Sequence, residues 1–216
     1  MKAAWVVPGI VLLLGAAPLH EQQPAMSFFI TSAGPGRGAG LGGLEGADRL
    51  CQGLADAAGS RGMVWRAYLS TIPNDGAPAI NARDRIGKGP WHNSKGVKVA
   101  ESVADLHSDG NTLSKENSLT EKGVMVNGRG DTPNMHDIIT GSNLDGTAYT
   151  GEGYDNCGNW TSSGAEGSTR VGHHDRTGGG QHPTSWNSAH NSRGCGQENL
   201  VATGGNGLFY CFGFTK

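Results

Sequence analysis

The densest run of side chains able to do chemistry is His173-His174-Asp175-Arg176, with His182 and His190 close behind. Imidazole and carboxylate together bind zinc or move protons, because a neutral imidazole offers a lone pair near physiological pH. Adjacent residues of an extended segment point to opposite sides, so His173 and His174 do not both reach one ion. The plain alternative is a hydrogen-bonded loop in which Asp175 or backbone satisfies an imidazole. Whether calcium or zinc binds is left open. No Gly-x-Ser-x-Gly, His-Glu-x-x-His or Walker pattern is present, and no spacing of Ser, His and Asp singles out a triad. No catalytic residue is assigned, and the expected function is non-catalytic binding.

Four cysteines, Cys51, Cys157, Cys195 and Cys211, lack the C-x-x-C spacing of zinc or redox motifs, which points to a structural role. Lys2 precedes an apolar stretch, Ala3 to Ala17, that reads as a secretory signal and falls short of the ~20 residues of a membrane span. Residues 1–25 are therefore expected to be a signal peptide or an uncleaved tether, followed by one domain over 26–216. The domain would be secreted, periplasmic or on the cell surface, and would meet a membrane only through an uncleaved tether. In an exported chain an even cysteine count implies disulfides, and four cysteines allow three pairings. A nested set, Cys51 with Cys211 and Cys157 with Cys195, would tie the main helix to the last strand and close the loop region. Each bond would contribute about 2–4 kcal/mol. The sequence alone does not choose among the pairings.

Trp91, Trp160 and Trp186 sit in or beside loops rich in Asn, Asp and Ser. Sugar sites set an aromatic face against the pyranose ring and planar polar groups against its hydroxyls. The same indoles would also fill a core beneath long loops, so both readings stand. Arg129-Gly130-Asp131 is an adhesion-like tripeptide, read more simply as a turn between Gly128 and Gly130 whose charges pair locally. Asn159-Trp160-Thr161 is formally a glycosylation sequon, but burial of Trp160 would shield it.

The elements that must carry these residues are few. Ser27–Ser32 and Val64–Ser70 read as strands, separated by the Gly-rich loop 34–43. That loop lacks the context of a dinucleotide fingerprint. Leu44, Ala47, Cys51, Leu54, Ala55 and Ala58 recur at helical spacing, with Asp48 and Arg49 expected on the opposite face and Gly59 as the stop. Val97–Ala100 reads as at most a short strand and Val103–Leu106 as a helical turn. Leu208–Phe214 is apolar on both faces and is expected at the centre of the sheet. Most of 73–150 is loop, which is uncommon unless functional or stapled. Composition agrees: 37 of 216 residues are glycine and only 17% are charged. The net charge of −2 argues against a nucleic-acid partner, which would call for a basic surface.

Several motifs together resemble the endostatin domain of the multiplexin collagens. Gly43-Leu44-Glu45-Gly46-Ala47-Asp48-Arg49-Leu50-Cys51 is similar to its G-x-x-G-A-D-x-x-C helix, and Arg66-Ala67-Tyr68-Leu69-Ser70 to its R-A-F-L-S strand. Cys157-Gly158-Asn159-Trp160-Thr161 resembles its C-x-x-W segment, and Phe209-Tyr210-Cys211 its last strand. The order holds over residues 27–214, and the chain also resembles exported bacterial lectin-like proteins. The resemblance implies an α+β C-type lectin-like fold: a small twisted antiparallel sheet, one main amphipathic helix, long loops and the nested disulfide pairing. The zinc-binding histidines of endostatin have no counterpart in residues 26–36, and its basic heparin surface does not carry over. Thr132-Pro133-Asn134 and Trp186-Asn187-Ser188 stand where calcium-dependent lectins have E-P-N and W-N-D. Two key carboxylates are missing, and Asp131 could supply one. The expected ligand is a glycan, held by loop region 125–195 through Asp131, Asn134, Trp186 and Asn187, with Trp91 as a further contact. Calcium is a candidate cofactor, and no other is implied. The alternative is a structural or protein-interaction module of the envelope or extracellular matrix. An enzyme is a third reading, since related folds host oxidative chemistry that needs a free thiol or a metal.

Overall fold

The computed structural model describes residues 1–2, 25–151 and 154–215. The expected export segment falls on residues 3–24, outside the described residues. Strand β1 (Phe28–Ile30), helix α1 (Gly43–Ala57) and strand β2 (Val64–Ala67) open the domain. They are followed by β3 (Trp91–His92), β4 (Lys98–Ala100), α2 (Val103–Leu106), β5 (Asp137–Ile139), α3 (Asn156–Trp160), β6 (Arg170–His173), β7 (His190–Asn191), α4 (Gln197–Thr203) and β8 (Tyr210–Phe214). The architecture is α+β. One antiparallel sheet has the order β1-β8-β2, a second pairs β3 with β4, and a third runs β5-β6-β7. Among the described residues no helix is long and apolar enough to cross a membrane.

The two-faced apolar pattern of the last strand has a direct cause. β8 lies between β1 and β2, and its sheet separates two cores. Phe209 and Cys211 face α1 with Phe29 and Trp65, while Tyr210 and Phe212 face the loop side with Phe28, Tyr68, Trp91 and Trp186. A strand buried on both faces has no polar side to alternate with. Cys211 pairs in register with Phe29 on one side and Ala67 on the other, at the middle of the sheet.

The disulfides are Cys51–Cys211 and Cys157–Cys195, the nested set. The first fastens α1 to the central strand, and the small buried residues Ala47 and Ala55 on the same stripe let the helix lie close to the sheet. Two disulfides fit an oxidising, non-cytoplasmic compartment.

One helix residue departs from expectation. Asp48, placed on the solvent face by periodicity, is buried. Its carboxylate accepts the Ala67 backbone N–H at 2.9 Å, Arg66 Nη1 at 3.0 Å, and Arg85 Nη2 at 2.8 and 3.0 Å. Two guanidinium groups brought from β2 and from the Ala82–Asp84 3-10 turn offset the desolvation of the charge. Periodicity cannot register partners that arrive from elsewhere in the chain.

The α3 segment is a single left-handed turn. Asn156, Cys157, Gly158, Asn159 and Trp160 have φ of 46, 53, 59, 51 and 71°. For L-residues this conformation costs roughly 1–2 kcal/mol each, so tertiary contacts must hold it. Asp155 caps the Cys157 and Gly158 N–H groups. Asn156 Nδ2 and Trp160 Nε1 both donate to the Ser70 carbonyl, at 3.0 and 2.8 Å. Asn159 brackets the Ile72 backbone, accepting its N–H and donating to its C=O. The sequon side chain is therefore engaged at both ends.

Candidate functional site

Two adjoining depressions on the loop face, of about 350 and 550 Å³, share Leu144, Gln181 and His182. The smaller is completed by Asn143, Asp145, Thr147, Tyr149, Arg170 and Ser188. The larger continues past His107, Asp109, Arg176 and Thr184. Leu144 lies 47% exposed on the ridge between them, an apolar contact ringed by amide, hydroxyl, carboxylate and guanidinium groups. Arg170 is fixed by donating to Ser188 Oγ, Asn191 Oδ1 and Gln181 Oε1, and its guanidinium lies 4.9 Å over the Tyr149 ring. Asp145 Oδ1 accepts Thr147 N and Oγ1, which keeps the carboxyl below its usual range despite partial burial.

The residues expected to bind ligand are distributed differently. Trp186 is 3% exposed, and its Nε1 donates to the Leu106 carbonyl under the larger depression. Asn187 is 1% exposed and donates to Tyr68 Oη and to the Asn143 and Leu144 carbonyls. It holds the groove loop from beneath. Trp91 is buried against Phe212. Asp131 pairs with Lys115 and closes a turn with Gly128, while Arg129 donates only its backbone N–H, to Asp175, among the described residues. The Thr132–Pro133 peptide is cis, and Asn134 caps His136 N. Asp131 and Asn134 line hollows other than the one lined by Trp186 and Asn187.

A second constellation lies on the β5-β6-β7 sheet. Register sets Asp137 opposite His173, and His190 opposite Val171, so the three side chains share one face. His136, just before β5, joins them. Asp137 Oδ1 is 3.3 Å from His136 Nε2, 3.3 Å from His173 Nε2 and 3.5 Å from His190 Nε2, and the last two nitrogens are 3.0 Å apart. Asp137 is 1% exposed, yet neither of its oxygens accepts a hydrogen bond among the described residues. Burial draws the His136 imidazole down, but the Asp175 hydrogen bond and the charges of Asp137 and Asp175 outweigh it and leave the pKa raised. Burial likewise opposes charge on Asp175, but hydrogen bonds from His136 and from the Arg129 and Thr177 N–H groups hold its carboxyl well below the usual range. His174 turns the other way, its Nε2 toward the Asn127 carbonyl. His182 lies in the groove.

Sequence reading found His173 and His190 but missed His136 and Asp137, which lie 37 and 36 residues before His173. It also missed Leu144, Asp145, Tyr149, Arg170 and Gln181. The adjacent His-Asp pair was a visible signal, but only sheet register shows that it meets the later histidines. Compared with known proteins, the chain matches no protein-family model and no curated protein.

Proposed function

We propose that this chain is an exported, non-catalytic binding module with a C-type lectin-like fold, and that it takes carbohydrate in the groove around Leu144, Gln181 and His182. The carrying observation is that groove. It is shallow, with one apolar ridge among planar polar side chains, a layout suited to the C–H faces and hydroxyls of a sugar. The nested disulfides, the central terminal strand and the long loops support the fold. All four cysteines are bonded, so no thiolate nucleophile supports an enzymatic reading. Calcium is not called upon, because Asp131 is already paired with Lys115.

The test is a glycan and polysaccharide array probed with the protein, first without added metal and then with calcium. Binding in both conditions, abolished by Gln181→Ala with His182→Ala, supports the reading. Binding that needs calcium, or that survives the double substitution, refutes the groove. Val124 and Met125, 58% and 55% exposed and adjacent, favour the alternative of a protein-interaction module. That reading takes over if no glycan binds.

A further inference from the structure

We propose that His136, Asp137 and His173 form the core of a zinc-binding site that His190 completes from the rim, independent of the glycan reading. The argument begins with hydrogens. His173 Nδ1 is 2.7 Å from the Pro183 carbonyl, and His190 Nδ1 is 3.1 Å from the Asn191 carbonyl. His136 Nδ1 faces Asp175 Oδ1 at 3.4 Å. A carbonyl or carboxylate oxygen only accepts, so each Nδ1 carries a proton and each ring turns its Nε2 inward as the ligand atom. Three ring nitrogens then converge on a buried carboxylate that accepts no hydrogen bond among the described residues. Without a cation the carboxylate is buried and uncompensated, and the only hydrogen bond among the inward atoms is that between His173 and His190 Nε2 at 3.0 Å. With a cation the arrangement is complete.

The dimensions agree. Ligands at about 2.0–2.1 Å on tetrahedral corners lie about 3.3 Å apart, the spacing of Asp137 Oδ1 from His136 and His173 Nε2; these three residues offer ligand atoms within 4.8 Å of one another, and His190, at the rim, turns in to complete the set. Each ring's outer nitrogen is anchored to an oxygen, the support that fixes tautomer and orientation in metal sites. Glycine makes room for the assembly. A Cβ at Gly178 would stand 2.4 Å from His173 Cε1, and one at Gly204 would stand 3.1 Å from Asp137 Oδ2. Three imidazoles with one carboxylate suit zinc, whereas calcium takes six to eight oxygens. A cavity of about 390 Å³ lined by Arg129, Asn134, His136, His190 and Arg193 gives access, with the His190 side chain 26% exposed at its floor.

The protein, disulfides intact, is stripped with chelator, exchanged into metal-free buffer and titrated calorimetrically with Zn²⁺ and, in parallel, Ca²⁺. One zinc per chain is expected, with a raised Tm and no comparable calcium binding. Co²⁺ should give the intense visible bands of a four-coordinate site. His190→Gln, at the rim and so least able to disturb folding, should weaken zinc binding about 100-fold or more and diminish the cobalt bands, since even outer partners are worth 10–100-fold. Asp137→Asn should do the same, and His92→Ala, on β3, should change neither. Failure of the wild-type protein to bind zinc overturns the proposal. So does undiminished affinity in His190→Gln, or calcium binding as tightly as zinc. If Asp137→Asn does not fold, His190→Gln and the cobalt spectrum decide.

Discussion

Arg85 holds both carboxylate oxygens of Asp48 from a single guanidinium nitrogen, at 2.8 and 3.0 Å, and so locks the 3-10 turn to the main helix. Both side chains are nearly withdrawn from solvent, at 12% and 11%. Removing one partner of such a pair leaves the other charge buried and unpaired. Asp48→Ala is expected to cost about 3–5 kcal/mol, read as a lowered urea midpoint. A loss below about 1 kcal/mol would show the pair to behave like a surface ion pair.

Trp186 and Gln181 should separate stability from ligand contact. Trp186 packs against Tyr68 and Tyr210, so Trp186→Ala should cost about 3–5 kcal/mol. Gln181 is exposed, and Gln181→Ala should stay within about 0.5 kcal/mol while reducing glycan binding. Denaturation curves set beside binding curves check both.

His107 should make stability depend on pH. Its Nε2 lies 2.7 Å from Tyr68 Oη and its Nδ1 2.7 Å from the Val103 carbonyl, and burial lowers its pKa. Above its unfolded value of about 6.5 the ring is neutral in both states and its contribution is intact. As the pH falls below that value the unfolded chain takes up a proton that the folded ring resists, so stability drops. The stability gap between wild type and His107→Gln should therefore be widest above about pH 6.5 and narrow toward pH 5.5. A gap that is constant with pH would contradict the assignment.

Replacing Cys157 and Cys195 by alanine opens a 38-residue loop and frees the left-handed turn. Chain-entropy arithmetic gives a loss of about 4 kcal/mol. The Trp160 indole, bonded to Ser70, should become solvent-exposed at lower urea than the rest of the core. Fluorescence and circular dichroism curves that stay coincident would show that the turn does not depend on the bond.

Asp137→Asn should have opposite effects with and without zinc. In chelated protein the amide supplies N–H donors to the inward nitrogen lone pairs, and Tm should match or exceed wild type by the equivalent of about 1–3 kcal/mol. In saturating zinc the variant should melt below wild type. The same ordering in both buffers would be inconsistent with a metal site there.

The sequence by itself determined the local elements. Helical spacing from Leu44 to Ala58 gave α1, and the short apolar runs gave β1, β2 and β8. The absence of a polar face on Leu208–Phe214 already required a central strand. These are one-dimensional signals, because a buried stripe repeats with the period of its own backbone. The even cysteine count implied disulfides, and the resemblance to endostatin implied the nested pairing that is observed. Tertiary structure decided what these signals cannot carry. Asp48 is buried because Arg66 and Arg85 arrive from other segments. Trp91, Trp186 and Asn187 became core and support because two sheets and their loops close over them. His136 and Asp137 meet His173 and His190 only through the register of β5, β6 and β7. Long loops have no period to read, and the chemistry they bring together depends on which strands they join.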